Sequence, residues 1–298
     1  MIAWTEAGAV ERPVMLQVRV QRAYPARIRA GAPVPTRSMS RDEILENLRW
    51  FTEGLAGPRS RPCTRLVLSG VGVAGRAETP ELLDTARALG FTWIVLHAGV
   101  EDLDSFDPAR FEGRVDAVVV PAQPGPLGAL TSGARVIRAC RERGIRVAAN
   151  TQLSSAAVGS LPSAARAVAA AGADSATFTY PFPIAGNTAS EVPGVRSVTA
   201  ALGRAVGVLE RAGVEVRIKG LPICYLGALG DRVAGRSANR WYVDADHQTS
   251  EAILFFPGVV SFTKEEACRF CSAHDRCDGF FATYLRRSSF PPLEPIEP

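Results

Sequence analysis

The chain has 298 residues, 47% of them hydrophobic and 21% charged, with a formal net charge of +4. That is enough apolar material for one large α/β domain, alone or with a small appendage, and it excludes a mini-protein that needs metal merely to fold. The only lysines are Lys219 and Lys264, and the arginines are dispersed without interleaved aromatics, so neither a nucleic-acid surface nor a strongly charged partner is indicated.

The N-terminal stretch has no basic segment leading into an apolar run, and nowhere does the chain approach the ~20 apolar residues that cross a bilayer. A soluble, cytoplasmic protein is expected, with no membrane partner. Its cysteines are then reduced, which favours metal ligation or plain burial over disulfides.

The first expected strand covers residues 15–20. Ser40 with Glu43 forms a capping box ahead of "ILENLRWF", and Thr79-Pro80-Glu81 sets a cap followed by proline in the first turn. Four times a helical stretch ends in glycine and runs at once into a strand-like segment: "ARALGFTWIVLH", "CRERGIRVAAN", "VAAAGADSATF" and "LERAGVEVRI". Gly90, Gly144, Gly172 and Gly213 suit the left-handed position that closes a helix, and the runs after them suit buried parallel strands. Further strands are predicted at 65–69, 93–97, 116–120, 145–150, 175–179 and 214–219.

Strands alternating with helices imply a parallel sheet with right-handed crossovers, either a complete or partial (β/α) barrel or an open doubly wound sheet. In each case the functional face lies at the C-terminal ends of the strands. Beyond Gly220 the repeat gives way to turn residues, aromatics and cysteines. A boundary is placed there, with residues 1–220 as the α/β domain and 221–298 as a compact cysteine-containing extension. The final "SSFPPLEPIEP" reads as a proline-rich tail that does not pack.

The six cysteines sort by the strand map. Cys63 precedes a strand and so belongs to the rim opposite the functional face, and Cys140 shares a helical apolar stripe with Val136 and Ile137. Cys224 follows the last strand of the repeat at the functional rim. Cys268, Cys271 and Cys277 have the spacing C-x2-C-x5-C, and with Cys224 they make four thiolates from two chain segments. Such a set suits a [4Fe-4S] cluster or tetrahedral zinc. The lone distal cysteine favours the cluster, since structural zinc more usually takes two C-x2-C pairs. His274, inside the same segment, opens a Cys3His alternative without Cys224, although it reads first as an exposed loop residue.

"TRLVLSGVGVAG", "FTWIVLHAG", "GIRVAANTQLSS" and "TFTYPFPIAGN" resemble the second, third, fifth and sixth strands of the radical S-adenosylmethionine (SAM) superfamily, and "LPICYLG" with "CRFCSAHDRCDGFFATYL" resembles that family's auxiliary-cluster extension. The resemblance implies a partial (β/α)6-type barrel of parallel strands with a small cysteine-rich C-terminal extension. It also implies an auxiliary [4Fe-4S] cluster on Cys224, Cys268, Cys271 and Cys277, and contact between SAM and the backbone at Ser69, Gly70 and Gly72.

One departure is large. Where the family has a C-x3-C-x2-C loop after its first strand, this chain reads "LQVRVQRAYPARIRAGAPVPTRSMSRDEI", with no cysteine, and Val73 stands where the family has an acidic residue. Loss of those thiolates removes the electron source for SAM cleavage. The chain is then expected to be a degenerate member, an accessory or substrate-presenting protein in the maturation of a peptide, natural product or cofactor. Its expected partners are an active radical SAM enzyme or a peptide or small-molecule substrate.

The alternatives are a zinc-stabilised barrel protein and a non-radical enzyme using the cavity. Candidates for the latter, none with an assigned catalytic role, are His97, Gln123, Asn150, Thr151, Tyr180, Arg217 and Lys219 at strand ends, with Asp244, Asp246 and His247 in "NRWYVDADHQ". Arg217 and Lys219 share one strand face and suggest a cationic ledge.

Overall fold

The computed structural model describes residues 14–21, 37–53, 62–124, 129–181, 192–234, 240–244, 253–255, 262–286 and 290–297. Seven strands follow the repeat: β1 (Met15–Arg19), β2 (Arg65–Ser69), β3 (Trp93–His97), β4 (Ala117–Pro121), β5 (Arg146–Gln152), β6 (Ser175–Thr179) and β7 (Glu215–Lys219). Each lies within two residues of its predicted bounds. The main helices between them are α1 (Arg41–Thr52), α2 (Thr79–Ala88), α3 (Ala129–Glu142), α4 (Ser155–Val158), α5 (Leu161–Ala170) and α6 (Val195–Arg211). After β7 come α7 (Ile223–Leu226), β8 (Arg240–Asp244), β9 (Ile253–Phe255), β10 (Phe262–Thr263), β11 (Phe280–Phe281) and α8 (Ala282–Leu285).

Local chemistry sets these elements. Ser40 caps α1 reciprocally with Glu43, as expected: the Glu43 N–H donates to Ser40 Oγ at 3.3 Å and the Ser40 N–H donates to Glu43 Oε2 at 2.7 Å. The bonds that the Ser40 N–H and hydroxyl donate to the Glu43 carboxylate, with the Arg37 guanidinium beside it, hold that carboxyl below the usual range. Gly90, Gly144, Gly172 and Gly213 all have positive φ and close their helices. At α2 the cap differs from expectation. Glu78 is the N-cap and Thr79 is already helical, because its hydroxyl donates to the Val73 carbonyl at 2.6 Å instead of capping.

The chain divides into two compact bodies. The first comprises residues 1–121, 138–147 and 238–256. In it β4, β3, β2 and β1 are parallel neighbours in that order, with the core formed by fully buried residues such as Leu16, Val18, Ile94, Leu96 and Val118. On its other side β1 pairs with β8, also parallel, which pairs in turn with antiparallel β9. The sheet therefore runs on at β1 instead of closing.

The second body comprises residues 122–137, 148–237 and 257–298. Here β5, β6 and β7 are parallel, and α5 and α6 supply buried faces through Leu161, Val168, Val198, Leu202 and Leu209. Strands succeeding one another in parallel with helices between them make the α/β, partial-barrel architecture predicted for the repeat. Among the described residues no helix is long and apolar enough to cross a membrane.

Candidate metal centre

In the second body, Gly220 follows β7 with φ +81°, and a Cβ there would lie 3.2 Å from the Cβ and the carbonyl oxygen of Tyr180, so this left-handed turn beside the Tyr180 backbone favours glycine. The turn leads into α7, which carries Cys224. Thr263 and Phe280 pair across antiparallel β10 and β11, and the segment between them folds as two 3-10 turns bearing Cys268, Cys271 and Cys277. Gly279 makes this possible. It has φ +81° and sits so close to Thr263 that a Cβ would lie 2.0 Å from the Thr263 carbonyl oxygen.

Beneath lies an aromatic cluster. Phe280 packs within 5.3–5.8 Å, centroid to centroid, of Tyr180, Tyr225, Phe281, Tyr284 and Phe290. It fixes the spacing of the two cysteine segments.

Cys224, Cys268, Cys271 and Cys277 line one small cavity, together with Lys264 and His274. All four thiols are free and half-buried. Burial pushes the Cys224 thiol up to about 11, and the Cys277 and Cys268 sulfurs add to the shift while a backbone hydrogen bond from Glu294 opposes it. Cys268 is raised by burial against a backbone hydrogen bond from Glu265, with Cys271 and Cys277 adding. Mutually repelling thiolates in a half-buried cavity are what a bound cationic centre relieves.

Main-chain donors are in place as well. The N–H of Gly279 donates to Cys277 Sγ at 3.4 Å and that of Ile296 to Cys271 Sγ at 3.3 Å. Among the described residues no three His, Cys, Asp or Glu side chains are gathered closely enough to hold one metal ion as they stand.

His274 corrects one expectation. It is half-buried in the cavity wall, and its Nδ1–H donates to the Cys268 carbonyl at 2.8 Å, which leaves Nε2 as the acceptor. The proline-rich tail corrects another, because it packs. Leu293 is buried and its N–H donates to Glu265 Oε2 at 2.8 Å, the Ser272 N–H donates to the Ile296 carbonyl at 2.9 Å, and Phe290 stacks on Tyr284. Nothing in the sequence marks Glu265, and the tail's composition points away from the docking it shows.

The other two cysteines are buried, and desolvation raises each thiol to about 12. Of the glycine-loop residues in the first body, Ser69 is buried, with its hydroxyl donating to the Val18 carbonyl and accepting from Gln17, both at 3.3 Å. Gly70 has φ +131° and packs so closely on Gln21 that a Cβ would lie 2.8 Å from the Gln21 backbone nitrogen. Gly72 has φ +66° and faces open space, and its N–H donates to Glu101 Oε1 at 2.8 Å. The neighbouring Asp102 is buried and accepts from the N–H groups of Gly75 and Gly99 at 3.0 and 2.8 Å. Glu101 and Asp102 follow β3 in "HAGVED", so acidic groups reach the glycine loop from the next strand end.

The alternative strand-end candidates are mostly committed to structure. The Gln123 side chain exchanges two hydrogen bonds with the Gln152 backbone, Thr151 donates to the Ala122 carbonyl, and Asn150 accepts from Thr179. Tyr180 is fully buried, with its hydroxyl on the Pro193 carbonyl. Arg217 is exposed and paired with Glu215 at 2.8 Å, so the ledge with half-buried Lys219 is partly neutralised. His97 is half-buried and Asp244 buried, whereas Asp246 and His247 lie outside the described residues.

No protein-family model matches the sequence, and no curated protein does. Solved structures do. Streptococcus suis SuiB bound to S-adenosylmethionine is similar with a TM-score of 0.57 at 9% identity, over 94% of this chain and 76% of SuiB. Native anSMEcpe with bound AdoMet is similar with a TM-score of 0.60 at 12% identity, over 89% of this chain and 88% of anSMEcpe. SuiB bound to its precursor peptide SuiA gives 0.57 at 10%, over 95% and 75%. The chain has the radical SAM fold.

Proposed function

We propose that this protein is a radical-SAM-fold protein without the SAM-cleaving cluster, and that it keeps an auxiliary [4Fe-4S]-type centre on Cys224, Cys268, Cys271 and Cys277. On this reading residues 221–298 are the auxiliary extension of a barrel spanning 1–220, to whose sheet the extension adds β8 and β9 beside β1, and the protein presents a substrate or assists a partner enzyme instead of cleaving SAM. The observation that carries it is the distribution of sulfur. Four cysteines line one cavity, the remaining two are buried and inert, and no cysteine lies between β1 and α1.

One C-x2-C pair with two further single cysteines suits a cluster, whose thiolates bind separate irons, better than structural zinc, which more usually takes two such pairs. When bound, the cluster supplies a redox-active and strongly organising centre. The chain's own part is to hold the four sulfurs, donate main-chain hydrogen bonds to them and wall them with apolar surface. Structures of the same fold that contain precursor peptide SuiA or the Kp18Cys peptide support a peptide as the partner in maturation.

Protein purified without oxygen is expected to be brown, with iron and sulfide in near-equal amounts, and to form no 5′-deoxyadenosine from SAM and reductant. The Cys268→Ala variant should lose the colour. Turnover of SAM by the chain alone would refute the reading. A second reading, zinc on Cys268, Cys271, Cys277 and His274, is favoured by the His274 Nδ1–H bond to a carbonyl, which orients Nε2 as ligating histidines are oriented. It gives a colourless protein with one tightly held zinc.

A further inference from the structure

The tail from Phe290 to Glu297 touches the cysteine centre at both of its chain segments. Its backbone reaches sulfur directly at Ile296, whose N–H donates to Cys271 Sγ at 3.3 Å. Leu293 and Glu294 line the cavity itself. Four anchors hold the segment there without any regular secondary structure. Phe290 stacks on Tyr284 with ring centroids 4.9 Å apart, the Tyr225 hydroxyl donates to the Pro291 carbonyl, the Leu293 N–H donates to Glu265, and Ser272 donates through its N–H and hydroxyl to the Ile296 carbonyl at 2.9 and 3.1 Å.

Pro291, Pro292 and Pro295 shorten the list of conformations the free tail can adopt, which lowers the entropy lost when it docks. The anchors are nevertheless few, and between them Pro292, Glu294, Pro295 and Glu297 are exposed. Segments with few buried contacts are those that open locally, well below the cost of global unfolding.

From this we infer that the C-terminal tail is a detachable strap over the cysteine centre: docked, it covers the cavity that holds Cys224 and Cys271 and donates a hydrogen bond to the Cys271 sulfur; lifted, it opens the centre for metal loading. The inference rests on the reading of these four cysteines as one centre. Its first consequence concerns thiol access and needs no metal. The second concerns the metal-loaded protein: N–H···S bonds stabilise the more negative, reduced form of a thiolate-bound cluster, so their loss makes reduction harder.

The test compares the full chain with a chain ending at Ser289 and with Ile296→Pro, which deletes one N–H donor; Ile296→Val, which keeps it, is the control. In metal-free protein, alkylation of Cys224 and Cys271 by iodoacetamide, read by peptide mass spectrometry, should accelerate roughly tenfold in the shortened chain, the scale of losing a docked, hydrogen-bonded cover. Cys63 and Cys140 in the same sample report global unfolding and should stay unreactive. In metal-loaded protein, Ile296→Pro should shift the midpoint potential to more negative values and Ile296→Val should not.

Equal alkylation rates with and without the tail would overturn the strap. Faster alkylation together with no iron or sulfide in any form would leave the strap standing and remove the cluster.

Discussion

Lys264 Nζ donates to the backbone carbonyl of His274 at 2.7 Å, which fixes an ammonium in the wall of the cavity that the four cysteines line. The bond ties β10 to the turn between Cys271 and Cys277, and it sets a positive charge where thiolates repel one another. Lys264→Met should therefore weaken metal retention by on the order of 1 kcal/mol, a few-fold in the half-time for extraction by a chelator, while Lys264→Arg keeps most of it. Equal extraction from wild type and Lys264→Met would show that the charge has no part in holding the centre.

Gly279 is the tightest backbone approach at this site. Alanine there combines a left-handed φ of +81° with a Cβ 2.0 Å from the Thr263 carbonyl oxygen, so β10 and β11 must separate or the chain must rebuild. The expected cost is about 3 kcal/mol or more, with loss of metal binding. Gly72→Ala is the comparison: its φ of +66° is also left-handed, but a Cβ would meet nothing within 4 Å, and the cost should stay near 1 kcal/mol. Thermal denaturation and iron analysis of the two variants separate steric from purely conformational strain.

The strand map was legible because each of its signals is local. A glycine closing a helix and a β-branched run after it are properties of neighbouring residues, and Gly90, Gly144, Gly172 and Gly213 all have positive φ. The C-x2-C-x5-C spacing is local too. What escaped is held by single long-range contacts: Leu293 on Glu265, Ile296 on Ser272 and Cys271, Glu101 on Gly72. A proline-rich tail carries no periodicity, so composition alone gives no sign that it docks. Thr79 shows the same limit at short range, since its hydroxyl had a better acceptor in the Val73 carbonyl than the helix end it was expected to cap.

Cys63 and Cys140 are 1% and 0% exposed, and burial raises both thiols to about 12, so at neutral pH they are small apolar side chains and not ligands. Replacing either by serine places a hydroxyl in the core at about 1–3 kcal/mol each. Iron content per folded chain should not change. A serine variant at either position that folds normally but loses its iron would assign that thiol to the centre and displace one of the four proposed ligands.

Two carboxylates make stability respond to acid with opposite signs. Asp102 is buried, and desolvation raises its pKa against the hydrogen bonds from Gly99, Gly75 and Ala74. The folded state therefore holds that proton more readily than the unfolded chain, so the contribution is fully present below the ordinary Asp value of about 3.9 and is lost as pH rises through the raised folded value. Glu43 is lowered by its bonds to Ser40, so its contribution is present above the ordinary Glu value of about 4.3 and is lost as pH falls through the lowered one. Urea midpoints from about pH 3 to pH 7 should show wild type gaining on Asp102→Asn as the solution is acidified and losing ground to Glu43→Gln over the same range. Parallel profiles for wild type and Asp102→Asn would mean that the carboxylate under the glycine loop titrates as it does in the unfolded chain.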